Sequence, residues 1–166
     1  MRTFVLVLAI AASVAGCGSS PTAETTTTGT PPPDPASAVE GGDTLYHGGA
    51  WAVVVKGNTA VALHLAGGEW QPDHTGRVKV TFLGPKGTVT PVTQVAAELS
   101  AKSPLVESGL WVDGSELLAK GGGLTAKRGT IYGATSGGLS PGKHLAVAYA
   151  RTATAATAVA RVFRVR

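Results

Sequence analysis

From about residue 43 onward, apolar and polar residues alternate with a period of two, and Gly, Pro, Asn and Asp interrupt the pattern at short intervals. That texture predicts short strands with one buried face, joined by turns. Residues 50–55 and 60–65 flank Lys56-Gly57-Asn58-Thr59, and Gly-Asn suits a two-residue hairpin turn. With the turn there, Val54 faces Val61, Ala52 faces Leu63 and Trp51 faces His64. Val54, Val61, Leu63 and Leu65 then share a face that must be buried. Trp51 and His64 fall on the other face, with Val53 and Val55 nearby, and a one-residue slip would exchange the two faces.

Residues 69–76 read as a polar loop holding Trp70, Pro72, Asp73 and His74. Arg77-Val-Lys-Val-Thr-Phe alternates strictly, with Val78, Val80 and Phe82 inward and Arg77, Lys79 and Thr81 outward. Gly84-Pro85-Lys86-Gly87 then turns the chain. Residues 94–102 fit a strand with Val95, Ala97, Leu99 and Ala101 on one side, but Ala, Glu and Leu suit a short helix as well. The clearest hairpin lies at Asp113-Gly114, a type I′ signal that pairs Val112 with Ser115, Trp111 with Glu116 and Leu110 with Leu117. Leu110, Val112 and Leu117 should be buried together, leaving Trp111 on the opposite face. Residues 120–128 read as a Gly-rich basic loop. Residues 130–134 and 144–150 read as strands separated by Leu139-Ser140-Pro141-Gly142, and residues 158–165 as a last strand.

The order of a Val-Asp-Gly hairpin, a Leu-Ser-Pro-Gly-Lys-His turn into an alternating strand, and a terminal strand ending Val-Phe-Arg-Val resembles bacterial immunoglobulin-like domains. The resemblance covers residues 77–166 and implies an all-β, immunoglobulin-like antiparallel β-sandwich. Its motifs speak for fold and hardly for function. The paired cysteines of antibody domains are missing, because Cys17 is the only cysteine. The hairpin within residues 44–70 is extra to the pattern, so a domain over residues 41–166 is expected to carry an additional N-terminal hairpin.

Ahead of that domain the texture differs. Met1-Arg2-Thr3 is short and positive, and residues 4–14 are an apolar run of about a dozen, too short for the ~20 residues that span a bilayer. Val14-Ala15-Gly16-Cys17 closes the run and resembles the lipobox of bacterial lipoproteins. The resemblance implies a leader over residues 1–16, cleavage, and diacylglycerol on Cys17, which would also remove an unpaired thiol in an oxidising compartment. Residues 17–40 hold Thr-rich and Pro-rich runs and no bulky apolar side chain before Val39, so a disordered tether is expected, with O-linked sugar as a compositional option.

Charge follows the same division. From residue 41 there are 13 Lys/Arg against 7 Asp/Glu, a net +6, whereas the tether carries three carboxylates. A basic body beside a membrane suits anionic lipid or envelope polymers, although a solvated, soluble surface is the preferred explanation of the charge.

Candidate chemistry is sparse. His47, His64, His74 and His144 form no close pair, and Asp73-His74 has no second histidine beside it, so no metal or other cofactor is expected. Ser140 sits in Gly-Leu-Ser-Pro-Gly, but Pro-Gly leads into a strand where a nucleophile elbow needs a helix. Neither Gly121-Gly122-Gly123 nor Gly84-Pro85-Lys86-Gly87-Thr88 has the features of a phosphate loop. No catalytic residue is therefore assigned. Trp111, Trp70 and Trp51 are the candidate contact residues for a protein or glycan partner, since exposed aromatics on a sandwich stack on sugars or anchor proteins; the alternative is that one or two of them fill the inter-sheet core or are covered by the long loops. The expectation is a monomeric, membrane-anchored, extracytoplasmic lipoprotein, a non-catalytic binding or structural module of the cell envelope with no nucleic-acid partner. The alternative is a small envelope hydrolase or metal-handling protein with a loop site at residues 69–74 and 121–128.

Overall fold

The computed structural model describes residues 31–90, 94–117 and 119–166, with backbone alone over 119–125. The expected leader, the lipobox-like stretch with Cys17 and the Thr-rich run lie outside the described residues. A four-residue 3-10 turn, Pro35–Ala38, precedes thirteen strands. These are β1 (Asp43–Gly48), β2 (Trp51–Lys56), β3 (Thr59–Ala66), β4 (Glu69–Pro72), β5 (Val78–Gly84), β6 (Thr88–Val89), β7 (Gln94–Ala101), β8 (Glu107–Val112), β9 (Ser115–Glu116), β10 (Ala119–Thr125), β11 (Arg128–Ala134), β12 (Gly142–Arg151) and β13 (Ala156–Val165).

Three sheets result, all antiparallel but for the short β6, which runs parallel to β13. The sheet β5-β7-β11-β10 packs against β6-β13-β12-β8-β9, reproducing the A-B-E-D and G-F-C strand orders of the immunoglobulin sandwich. The strict alternation of β5 puts Val78, Val80 and Phe82 in the core between them, against Leu110, Ala148 and Phe163 from the facing sheet. β7 is a strand because Val95, Ala97 and Leu99, two residues apart, are all fully buried; a helix would turn Ala97 away from the other two. The Asp113-Gly114 turn has φ of 50° and 80° at its two residues, and the pairings of Val112 with Ser115 and Trp111 with Glu116 are as expected.

The N-terminal element is larger than the expected hairpin. β2 and β3 pair in the expected register around Gly57-Asn58, and β1 and β4 extend them to a four-stranded sheet. Residues 69–72, expected in a loop, form its edge strand because Leu65 and Trp70 pair across β3 and β4. Both faces of this sheet are covered. Ala52, Val54, Leu63 and Trp70 make a small core with Val39, whereas Trp51, Val53 and Ala62 pack on Trp111, Val147 and Tyr149 of the sandwich. The expected loop at residues 120–128 is instead a hairpin, with residues 120–125 in β10, a turn at 126–127 and Arg128 opening β11.

The expected tether also ends earlier than residue 40. Asp34 caps the 3-10 turn through Ala36 N at 2.9 Å, and its carboxylate accepts from Thr44 Oγ1 at 3.1 Å. Trp70 Nε1 donates to Pro33 O at 2.6 Å. Residues 33–39 therefore belong to the folded body.

Candidate functional site

The three tryptophans expected at a contact surface are all interior. Trp51, Trp70 and Trp111 are 6%, 6% and 5% exposed. Alternation places Trp111 away from the inter-sheet core, as expected, but the N-terminal sheet lies over that face. The Tyr46 ring sits 5.9 Å from Trp111 and 5.6 Å from Tyr149, and Trp51 stacks on its cross-strand partner His64 at 4.3 Å. Trp70 belongs to the opposite face of the same sheet, with His47 edge-on at 5.3 Å. The assignment of these residues as exposed partner contacts is thus corrected: they seal layers together. A sequence pattern reports which face a side chain takes and says nothing of what later covers it.

Three polar clusters accompany them; the sequence names Asp73 and His144 but not the partners that the fold gives them. At the rim of the aromatic layer, Glu107 of β8 accepts from Tyr46 Oη and from Arg151 Nε. The Arg151 guanidinium also lies over the Trp51 ring, 5.9 Å from its centre. Burial, then the bond to Glu107, pushes the Tyr46 phenol up to about 12. Tyr149, 1% exposed, is pushed up by burial and then by Glu107, and its hydroxyl has no partner among the described residues. At the Asp113-Gly114 turn, Asp113 Oδ2 lies 2.7 Å from His144 Nδ1, and Asp113 Oδ1 accepts from Leu145 N at 2.9 Å. His144 Nε2 lies 2.8 Å from Ser140 O, a carbonyl that only accepts, so both ring nitrogens donate when the imidazole is charged. The bond to Asp113, and next the Ser140 carbonyl, hold its pKa above the usual value against an opposing effect of burial. Third, Asp73 accepts from Thr75 N at 2.8 Å and Ala156 N at 2.5 Å. Burial alone would raise its pKa; the backbone donors, with the Thr75 hydroxyl and His64, lower it on balance.

Each of these groups is engaged in joining strands. Asp113 and His144 tie the β8–β9 turn to β12, Asp73 ties the β4–β5 connection to β13, and Glu107 ties β1, β8 and β12 together. Among the described residues no three His, Cys, Asp or Glu side chains gather as metal ligands.

Of the described side chains at residues 69–74 and 121–128, only Arg128 lines a groove at the Arg77 end of the sandwich. There Gly76, Arg77, Lys79, Ser100, Ala101, Lys102 and Arg128 line a shallow groove of about 210 Å³ whose polar side chains are four cations and one hydroxyl. The outward placement of Arg77 and Lys79 is legible in their alternation. Their neighbours Lys102 and Arg128 come from strands far apart in sequence, brought together by the order β5-β7-β11. Compared with known proteins, the chain matches no family model and no curated relative.

Proposed function

We propose that this chain is a lipid-anchored, extracytoplasmic module of a bacterial cell envelope that binds or supports other envelope components without catalysis. The observation that carries the reading is Val14-Ala15-Gly16-Cys17 directly after the apolar run of residues 4–14. The sole cysteine stands where acylation would use it, and two acyl chains suffice for stable anchoring where one would be marginal. A Thr- and Pro-rich stretch separates it from a sandwich that needs no disulfide, which suits presentation at a distance from a bilayer. The non-catalytic part is supported by the way Asp73, Glu107, Asp113 and His144 are each engaged in linking strands.

The test is membrane fractionation of cells expressing the full chain or Cys17→Ser. The unaltered chain should sediment with membranes and dissolve only in detergent, and the serine variant should appear in the aqueous fraction. Retention of the variant in the bilayer to the same extent would overturn the anchoring.

A further inference from the structure

We propose that the basic groove at the Arg77 end of the sandwich is a binding site for a phosphate-bearing anion. The assignment goes beyond the anchored-module reading and holds whether or not the chain is lipidated. Register builds the site. Ser100 of β7 pairs with Lys79 of β5 on one side and Arg128 of β11 on the other, so the three form one rung on the outer face of their sheet. Neighbouring strands lie about 4.8 Å apart, so the rung is about 10 Å wide. The next rung pairs Val78 with Ala101, and Arg77 and Lys102, the residues just outside these strand ends, both line the groove.

Like charges gathered on one face at the end of a sheet cost stability. Among the described residues, Arg77, Lys79 and Lys102 have no ion pair to offset that cost. The nearest carboxylate by register is Glu98, two rungs inward, paired with Thr81 and Thr130. Asp73, close in sequence, accepts instead from Thr75 N and Ala156 N. A second, contiguous hollow of about 470 Å³ shares Gly76, Arg77 and Lys102 and adds Ser103 and Thr154 at its rim, while the hydroxyls of its other lining residues, Thr75 and Thr152, are bonded to Asp73 and to Ala155 O. The Arg77 guanidinium fork, the Lys79 and Lys102 ammonium groups and the Ser100 hydroxyl around one concavity suit a tetrahedral oxyanion with several acceptor oxygens. A single carboxylate, with one charge and two oxygens, would leave most of these donors unused.

The experiment titrates the isotopically labelled full chain with inorganic phosphate, chloride holding the ionic strength constant, and follows backbone amides by NMR. Saturable shifts confined to residues 76–79, 100–102 and 128 are expected. Arg77→Gln and Lys102→Gln should each weaken binding about tenfold, equivalent to ~1.4 kcal/mol. Lys143→Gln, a cation outside the groove, should leave the affinity unchanged. Phosphate should also raise the Tm of the unaltered chain and not that of the Arg77→Gln/Lys102→Gln double variant, which shows that a variant failing to bind is still folded.

A second arm sediments the same proteins with phosphatidylglycerol or phosphatidylcholine vesicles. Capture by phosphatidylglycerol that falls in the double variant identifies a lipid headgroup as the source of the phosphate. Equal capture of both proteins, together with saturable inorganic phosphate binding, identifies a soluble phosphate. Absence of saturable shifts combined with equal vesicle capture overturns the proposal, as do shifts that survive the double substitution.

Discussion

The tightest constraints on single residues are where an aromatic ring lies on a glycine. A Cβ built on Gly109 would lie 2.2 Å from Trp111 Cη2, because residues two apart on β8 point the same way and the indole lies back along its own strand. Since Trp111 is wedged beneath the N-terminal sheet, it has nowhere to retreat. Gly109→Ala should therefore cost about 1–3 kcal/mol through overpacking, read as a lower urea midpoint with an unchanged slope. His144 imposes a constraint of another kind. Its folded pKa is above the ordinary 6.5, so the folded chain holds that proton more tightly than the unfolded one. The stabilisation is complete below about 6.5 and is lost as pH climbs through the raised value. Asp113→Asn keeps a side chain that tolerates the positive φ and still accepts from Leu145 N, but removes the negative charge. The unaltered chain should lose Tm on going from pH 6 to pH 8, while the Asn variant should change much less. Parallel Tm curves for the two proteins would exclude the imidazolium pair as the source.

At the scale of elements, the chain announces its turns and registers more fully than its neighbours. Gly57-Asn58 and Asp113-Gly114 set registers that alternation then extends along β2, β3, β8 and β9, because local chemistry decides both. β4 was hidden by its length: four residues with one buried side chain, Trp70, give no period to read. The hairpin β10–β11 was hidden by composition, since Gly121, Gly122 and Gly123 look like loop and are strand only because β11 offers a partner. The groove was half visible, in Arg77 and Lys79, and the cross-layer contacts were invisible because they join residues as distant as Tyr46, Glu107 and Arg151. That last cluster carries its own prediction. Arg151 and Glu107 are 24% and 28% exposed, so solvent screens the pair but does not abolish it. Glu107→Gln keeps the shape and an acceptor while removing the charge, and should cost about 1–2 kcal/mol in chemical denaturation. The loss should shrink in high salt, and a loss indifferent to salt would point to packing alone.

At the scale of the whole described body, the sheet β6-β13-β12-β8-β9 is the middle of three layers. Its inner face contributes Leu110, Ala146, Ala148 and Phe163 to the sandwich core, and its outer face contributes Trp111, Val147, Tyr149 and Ala156 to the layer beneath the N-terminal sheet. The N-terminal sheet has a private core of only four buried side chains, Ala52, Val54, Leu63 and Trp70, too few to hold a small sheet folded by itself. Its order must therefore be borrowed from the middle layer, chiefly through Trp111. Truncating that indole by Trp111→Ala should cost about 3–5 kcal/mol, the range for emptying a large aromatic site. The loss should also be uneven. Amide hydrogens of β2 and β3 should exchange much faster in the variant, because detaching their sheet becomes a cheap partial opening. Those of β7 and β11 should keep protection nearer to the remaining global stability, since their core does not include residue 111. If exchange in β2, β3, β7 and β11 accelerates by one common factor, the N-terminal sheet opens only with the sandwich, and the three layers are a single cooperative unit.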